Sequence, residues 1–111
     1  MGILDGRVAI VTGGARGVGR GISLAFAREG ASVVMAEVNP ETGPATEKEI
    51  RDLGLEATWV ECDVTEKSQV ESTIARTVEL YGGIDILVNC ATGARPDTAF
   101  RSFLEHDDDQ I

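Results

Sequence analysis

The stretch Thr12-Gly13-Gly14-Ala15-Arg16-Gly17-Val18-Gly19 is the part of this 111-residue chain whose residue types and spacing most clearly suit chemistry. Its glycines stand as Gly13-x-x-x-Gly17-x-Gly19, after the apolar run Val8 to Val11 and before a helical pattern. Gly13 permits a sharp turn from strand into helix. Gly17 has no Cβ to hold an incoming group away from the backbone, and Gly19 lets the helix lie close to the sheet. The first N–H groups of a helix lack intrahelical partners and sit at its positive dipole end. Such a loop suits a pyrophosphate, and Arg16 and Val18 stand inside it.

A dinucleotide needs a second contact, at its ribose. Glu37 closes the next β-branched run, Ser32 to Glu37, 18 residues after Gly19. Dinucleotide folds place a ribose-binding acid roughly 20 residues beyond the loop. A carboxylate there accepts both ribose hydroxyls of NAD and repels the 2′-phosphate of NADP. Arg16 pulls the other way: it could meet a 2′-phosphate or stand as an exposed loop arginine. Glu37 tips the expectation toward NAD.

The elements that must position these residues alternate in type. Strands are expected over Arg7 to Val11, Ser32 to Glu37, Ala57 to Cys62 and Ile84 to Asn89. Helices are expected from about Val18 to Glu29, around Glu41 to Leu53, and from Thr65 or Glu66 to Leu80. Gly30, Gly54 and Gly82-Gly83 are their stops, and Pro44 limits where the second helix can begin. Ile22, Ala25 and Phe26 would form the buried face of the first helix; Val70, Ile74 and Val78 that of the third. The order βαβαβαβ predicts an α/β fold of Rossmann type with a parallel sheet in the strand order 3-2-1-4, an incomplete domain over residues 1–111.

Composition excludes several classes of function. With 10 basic and 19 acidic residues the formal charge is −9, so no nucleic-acid partner is expected. Residues 1–30, which hold the glycine loop, nevertheless carry +2. No apolar run is long enough to cross a membrane, and the N-terminus lacks the pattern of a signal peptide. The expectation is a cytoplasmic protein without a membrane partner. Cys62, Cys90 and the single His106 cannot build a four-ligand zinc site from those residue types, and no metal is expected.

The loop Thr12 to Gly19, Cys62-Asp63-Val64-Thr65, and Gly82-Gly83-Ile84-Asp85-Ile86-Leu87-Val88-Asn89-Cys90-Ala91-Thr92 together resemble the short-chain dehydrogenase/reductase family. The loop matches that family's Thr-Gly-x-x-x-Gly-x-Gly pattern; the last segment matches its Asn-Asn-Ala-Gly motif, with Cys90 for Asn and Thr92 for Gly. The resemblance implies that Asp63 hydrogen-bonds the adenine amino group and that Val64 packs on the adenine. It implies that Asn89 braces the central strands and that backbone near Ala91 lies against the nicotinamide-side ribose. An N-cap role for the Asp63 region is the alternative to the adenine contact.

The implied activity is NAD(P)-dependent oxidoreduction, a hydride moving between the nicotinamide and a small alcohol or carbonyl substrate. The family's Ser and Tyr-x-x-x-Lys set has no match here: the single tyrosine is Tyr81, and Asp85 stands four residues on. No catalytic residue is therefore expected among the 111. Glu105-His106-Asp107-Asp108-Asp109 suits the first turn of a helix, yet only Gln110 and Ile111 follow. The chain reads as the cofactor-binding half of the enzyme, truncated before the C-terminal half, with homo-oligomers expected only of a full-length form. A non-catalytic dinucleotide-binding fragment is the alternative. A methyltransferase would favour a Gly-x-Gly-x-Gly loop, which is not the pattern here.

Overall fold

Seven elements alternate along the chain in a computed structural model that describes residues 2–90. They are β1 (Val8–Thr12), α1 (Gly17–Arg28), β2 (Ser32–Glu37), α2 (Thr42–Asp52), β3 (Ala57–Glu61), α3 (Lys67–Tyr81) and β4 (Ile86–Asn89). The four strands form one parallel sheet in the order β3-β2-β1-β4. The expected fold class and strand order are therefore those of the structure. Ala91, Thr92, Gly93 and the acidic run at 105–109 lie outside the described residues.

Both faces of the sheet are covered, and the continuous apolar runs of β1 and β2 follow from that. Val11, Val33 and Met35 point to the face covered by α1 and α2, together with Ala27 and Ile50. Ile10, Val34 and Ala36 point to the opposite face, where Val64 and Val70 are buried beside them and Ile74 and Tyr81 of α3 pack on. All five residues of β1 are buried. The floor of any site at its C-terminal end is thus fixed on both sides.

Two helix faces differ from the sequence expectation. In α1 the buried residues are Gly19, Ser23 and Ala27, while Ala25 is exposed and Ile22 and Phe26 are only partly buried. A helix this close to the sheet has room for small residues alone on its innermost line. Gly19 packs on the carbonyl of Gly13, and Ser23 donates its hydroxyl to the Gly14 carbonyl at 2.9 Å. In α3 the buried line is Val70, Thr73 and Thr77, with Val78 46% exposed. Thr73 and Thr77 donate to the carbonyls of Gln69 and Thr73, each at 2.8 Å. With their hydroxyls satisfied inside the helix, both threonines can face the core.

The boundaries shift slightly. β4 begins at Ile86 rather than Ile84, because Asp85 is already spent holding the start of β1. Its N–H donates to the Val8 carbonyl and its Oδ2 accepts from Val8 N–H, both at 2.8 Å.

Candidate cofactor site

The glycine loop leaves β1 at its C-terminal end and turns at once into α1. Gly13 lies at φ +63° and donates its N–H to the Ala36 carbonyl at 2.8 Å, which anchors the loop to β2. A side chain at Gly19 would fall on the Gly13 carbonyl, so the first turn of α1 can approach the loop only because position 19 is glycine. Gly17, the first residue of α1, lies at φ +48° with nothing within 4 Å of where a Cβ would point. That open space faces outward from the helix N-terminus. No side chain caps this end of α1 and no acid stands in its first turn, so its N–H groups are left for an anion.

A cleft of about 200 Å³ opens here, lined by Gly13, Arg16, Gly17, Val18, Gly19 and Cys90. Val18 is 75% exposed beside it. Whole ligand sites commonly measure about 300–1,000 Å³, so this cleft has room for one part of such a ligand and would not enclose it. Every loop residue singled out from the sequence lines this cleft. Cys90 joins them because β4 pairs with β1: Cys90 N–H donates to the Thr12 hydroxyl at 2.9 Å. That pairing could have been found by following the strand order from Asn89 to its neighbour.

Glu37 ends β2 with its side chain turned back under the loop, and the residue is only 1% exposed. Its Oε1 accepts from Ala15 N–H at 3.4 Å and its Oε2 from Asn39 N–H at 3.1 Å. Arg16 Nε lies 3.5 Å from Oε2, so the acid and the arginine weighed separately in the sequence form one ion pair. The middle of the loop is gripped from both sides, since Thr46 of α2 also donates its hydroxyl to the Ala15 carbonyl at 3.3 Å. Ala15, Asn39 and Thr46 carry no sequence signal of their own. They are legible only once α2 is seen to lie over the loop.

The remaining sequence-predicted residues spread along the C-terminal edge of the sheet. Asn89 stands opposite Thr12 in the ladder, and its Oδ1 accepts from the Thr12 hydroxyl at 2.9 Å, a brace between β4 and β1. Asp63 follows β3, with its Oδ1 accepting from the hydroxyl (2.6 Å) and the N–H (3.0 Å) of Thr65. These two bonds hold its carboxyl below the ordinary carboxylate range. They form a side-chain turn leading into α3; the N-cap itself is Glu66, which makes no side-chain cap. The Val64 side chain is 5% exposed and lies in the α3-side core. Ala91 is not among the described residues.

Tyr81 lies elsewhere. It ends α3 at the opposite edge of the sheet, donating its hydroxyl to Glu56 Oε2 at 2.7 Å with the Thr58 hydroxyl 2.8 Å away. Burial pushes its phenol upward. Cys62 is buried, which pushes its thiol up as well, and both cysteines are free. Among the described residues no group of His, Cys, Asp or Glu is arranged to hold a metal ion. Nor is any helix among them long and apolar enough to cross a membrane.

Comparison with known proteins agrees with this geometry. Residues 7–111 match the family model described as short chain dehydrogenase. An uncharacterized oxidoreductase of Thermotoga maritima is 42% identical over 103 residues, which cover 93% of this chain and 40% of that protein. The 7alpha-hydroxysteroid dehydrogenase of Escherichia coli is 38% identical over 93 residues, covering 84% of this chain and 36% of that one. A crystal structure of a short chain dehydrogenase from Mycobacterium avium superimposes with a TM-score of 0.87 at 29% identity. It covers 99% of this chain and 47% of its own. The chain thus spans less than half the length of these relatives. It belongs to the short chain dehydrogenase family.

Proposed function

We propose that the chain is the dinucleotide-binding portion of an NAD(P)-dependent oxidoreductase that moves a hydride between the nicotinamide and an alcohol or carbonyl substrate, with NAD favoured over NADP. The observation that carries this reading is the Glu37 carboxylate at the end of β2, turned toward the glycine loop within reach of Ala15 N–H. A dinucleotide laid along the sheet edge would meet loop N–H groups at its pyrophosphate and this carboxylate at its ribose. The residues present fit that group: Gly17 leaves open space, α1 leaves its N-terminus uncapped, and a buried carboxylate stands at the ribose distance along the chain.

The nicotinamide supplies the hydride chemistry when bound. This chain's residues bind and orient. Gly13, Gly17, Val18 and Gly19 would cradle the pyrophosphate; Glu37 would accept ribose hydroxyls in place of its Arg16 partner; Asp63 and Val64 would serve the adenine end. Asn89, which braces β4 against β1, would steady the strands at the nicotinamide end; the role that the family resemblance gives Ala91 there falls outside the described residues. NAD is favoured because a 2′-phosphate would bring negative charge against Glu37, whereas Arg16, the group suited to that phosphate, is already paired to the acid. Small alcohol or carbonyl substrates, a cytoplasmic setting and homo-oligomers of the longer protein complete the reading; nucleic acid and membrane are not partners.

The second reading, non-catalytic dinucleotide binding, is favoured for the 111 residues alone by Tyr81. Its hydroxyl is tied to Glu56 at the far edge of the sheet and its phenol is pushed up rather than down. An acid/base tyrosine needs the reverse. Calorimetry with NAD and NADP tests the proposal, together with a hydride-transfer assay on alcohols. The expected result is NAD binding without turnover, and a Glu37→Ala variant whose NAD/NADP affinity ratio falls. Binding of neither dinucleotide overturns the reading, and an unchanged ratio removes Glu37 from it. An intact mass of the natural protein well above 11.8 kDa places the 111 residues in a longer enzyme; a mass of 11.8 kDa favours the binding-only alternative.

A further inference from the structure

We propose that Trp59, the chain's single tryptophan, is a positioning residue for the ribose end of the cofactor site: its indole N–H holds the backbone of Glu37 so that the carboxylate stays aimed at the glycine loop. The inference rests on the dinucleotide reading above. Trp59 lies in β3, opposite Met35, and its side chain reaches past the end of β2. Its Nε1 donates to the Glu37 carbonyl at 2.9 Å, a carbonyl that also accepts from Cys62 N–H at 3.3 Å.

The same ring supports the far end of the segment that follows Glu37. A Cβ at Gly43, in the first turn of α2, would fall on the indole, 2.6 Å from its Cδ1, so α2 rests on the ring face through a residue with no side chain. Gly43 N–H donates to the Asn39 carbonyl at 3.0 Å, and Asn39 N–H returns to Glu37 Oε2. A closed circuit results: Glu37 carbonyl, Trp59 ring, Gly43, Asn39, Glu37 carboxylate. Trp59 itself is fixed from α2, since its backbone N–H donates to Glu47 Oε2 at 2.8 Å.

The circuit answers a mechanical need. A glutamate side chain has several rotatable bonds, so its carboxylate keeps one place only when both its backbone and the carboxylate itself are held, here by the Trp59 N–H and by the N–H groups of Asn39 and Ala15. Hydrophobic packing alone would be met by any large apolar residue at 59. The directed N–H to the carbonyl of Glu37 is what the indole adds and an apolar ring lacks.

The test is Trp59→Phe, which keeps an aromatic ring and deletes the N–H, with Gly43→Ala as an independent variant that displaces the ring from the other side. Affinities for NAD and NADP are measured by calorimetry on the full chain, alongside thermal melts. Loss of one hydrogen bond predicts NAD binding weakened about five-fold in each variant, with NADP binding changed less than about two-fold, so the NAD/NADP ratio falls. A purely structural role would weaken both dinucleotides together. An unchanged ratio in both variants overturns the positioning role while leaving the dinucleotide reading intact. Absence of any dinucleotide binding in the unsubstituted chain overturns the two together.

Discussion

Each glycine of the loop performs a different task, and residue by residue the tasks can be separated. Gly19 is a matter of contact, because a side chain would strike the Gly13 carbonyl, which is backbone and cannot step aside. Gly19→Ala is therefore expected to cost about 1–3 kcal/mol and to weaken NAD binding with it. Gly21, two residues on in the same helix, meets nothing within 4 Å of an added Cβ. Gly21→Ala should stabilise by about 0.4–1 kcal/mol. Chemical denaturation of the two variants checks both signs. If Gly19→Ala proved as stable as Gly21→Ala, the close approach of α1 to the loop would not be a structural requirement. Arg16 and Glu37 show the limit of residue-level thinking: as isolated types they argued for opposite cofactors, and in the fold they neutralise each other.

At the scale of elements, the sheet edge is organised by turns as much as by strands. The link from β3 into α3 depends on Asp63, whose ionised carboxyl accepts two bonds from Thr65. Those bonds lower the folded-state carboxyl below its ordinary 3.8. A depressed carboxyl contributes stability above its unfolded value and loses it as pH falls through the folded one. Asp63→Ala is thus expected to lower the melting temperature slightly at neutral pH. The gap to the unsubstituted chain should close on acidification below about 4. A gap that persisted at low pH would assign the loss to something other than the ionised carboxylate. The helix faces carry a related lesson. Of the apolar lines Ile22–Ala25–Phe26 and Val70–Ile74–Val78, only Val70 is fully buried, and the other innermost positions belong to Gly19, Ser23, Ala27, Thr73 and Thr77. Hydrophobic periodicity finds a helix and its approximate face. It does not report how close the helix must come, and closeness is what selects small side chains and internally bonded hydroxyls.

At the scale of the whole sheet, the two outer strands among the described residues are treated differently. The free side of β3 is blocked by α2: Glu47 takes the Trp59 N–H, and Arg51 Nε donates to the Ala57 carbonyl at 2.7 Å. All four residues of β4 are only partly buried, and three of them, Ile86, Leu87 and Val88, are apolar. An apolar edge of that kind invites pairing. The purified 111-residue polypeptide is expected to self-associate as its concentration rises in sedimentation velocity. A Glu47→Ala/Arg51→Ala double variant, which uncovers the β3 edge, should associate further. A monodisperse monomer in both cases would show that neither edge is available for pairing.

Much of this protein was legible in the order of its residues. The buried strands, the glycine loop and the acid 18 residues beyond Gly19 are local patterns, each governed by backbone geometry or by the period of apolar residues, and those are written along the chain. The order 3-2-1-4 followed because long crossovers joining parallel strands leave few alternatives. What only the tertiary structure decided is which groups meet. Arg16 with Glu37, Thr46 with Ala15, the Trp59 indole with the Glu37 carbonyl and Asn89 with Thr12 are separated by 21 to 77 residues and join different elements. No local rule governs such contacts. They arise where a helix crosses over a loop or one strand lies beside another, so their partners are chosen by packing in three dimensions and not by spacing in one.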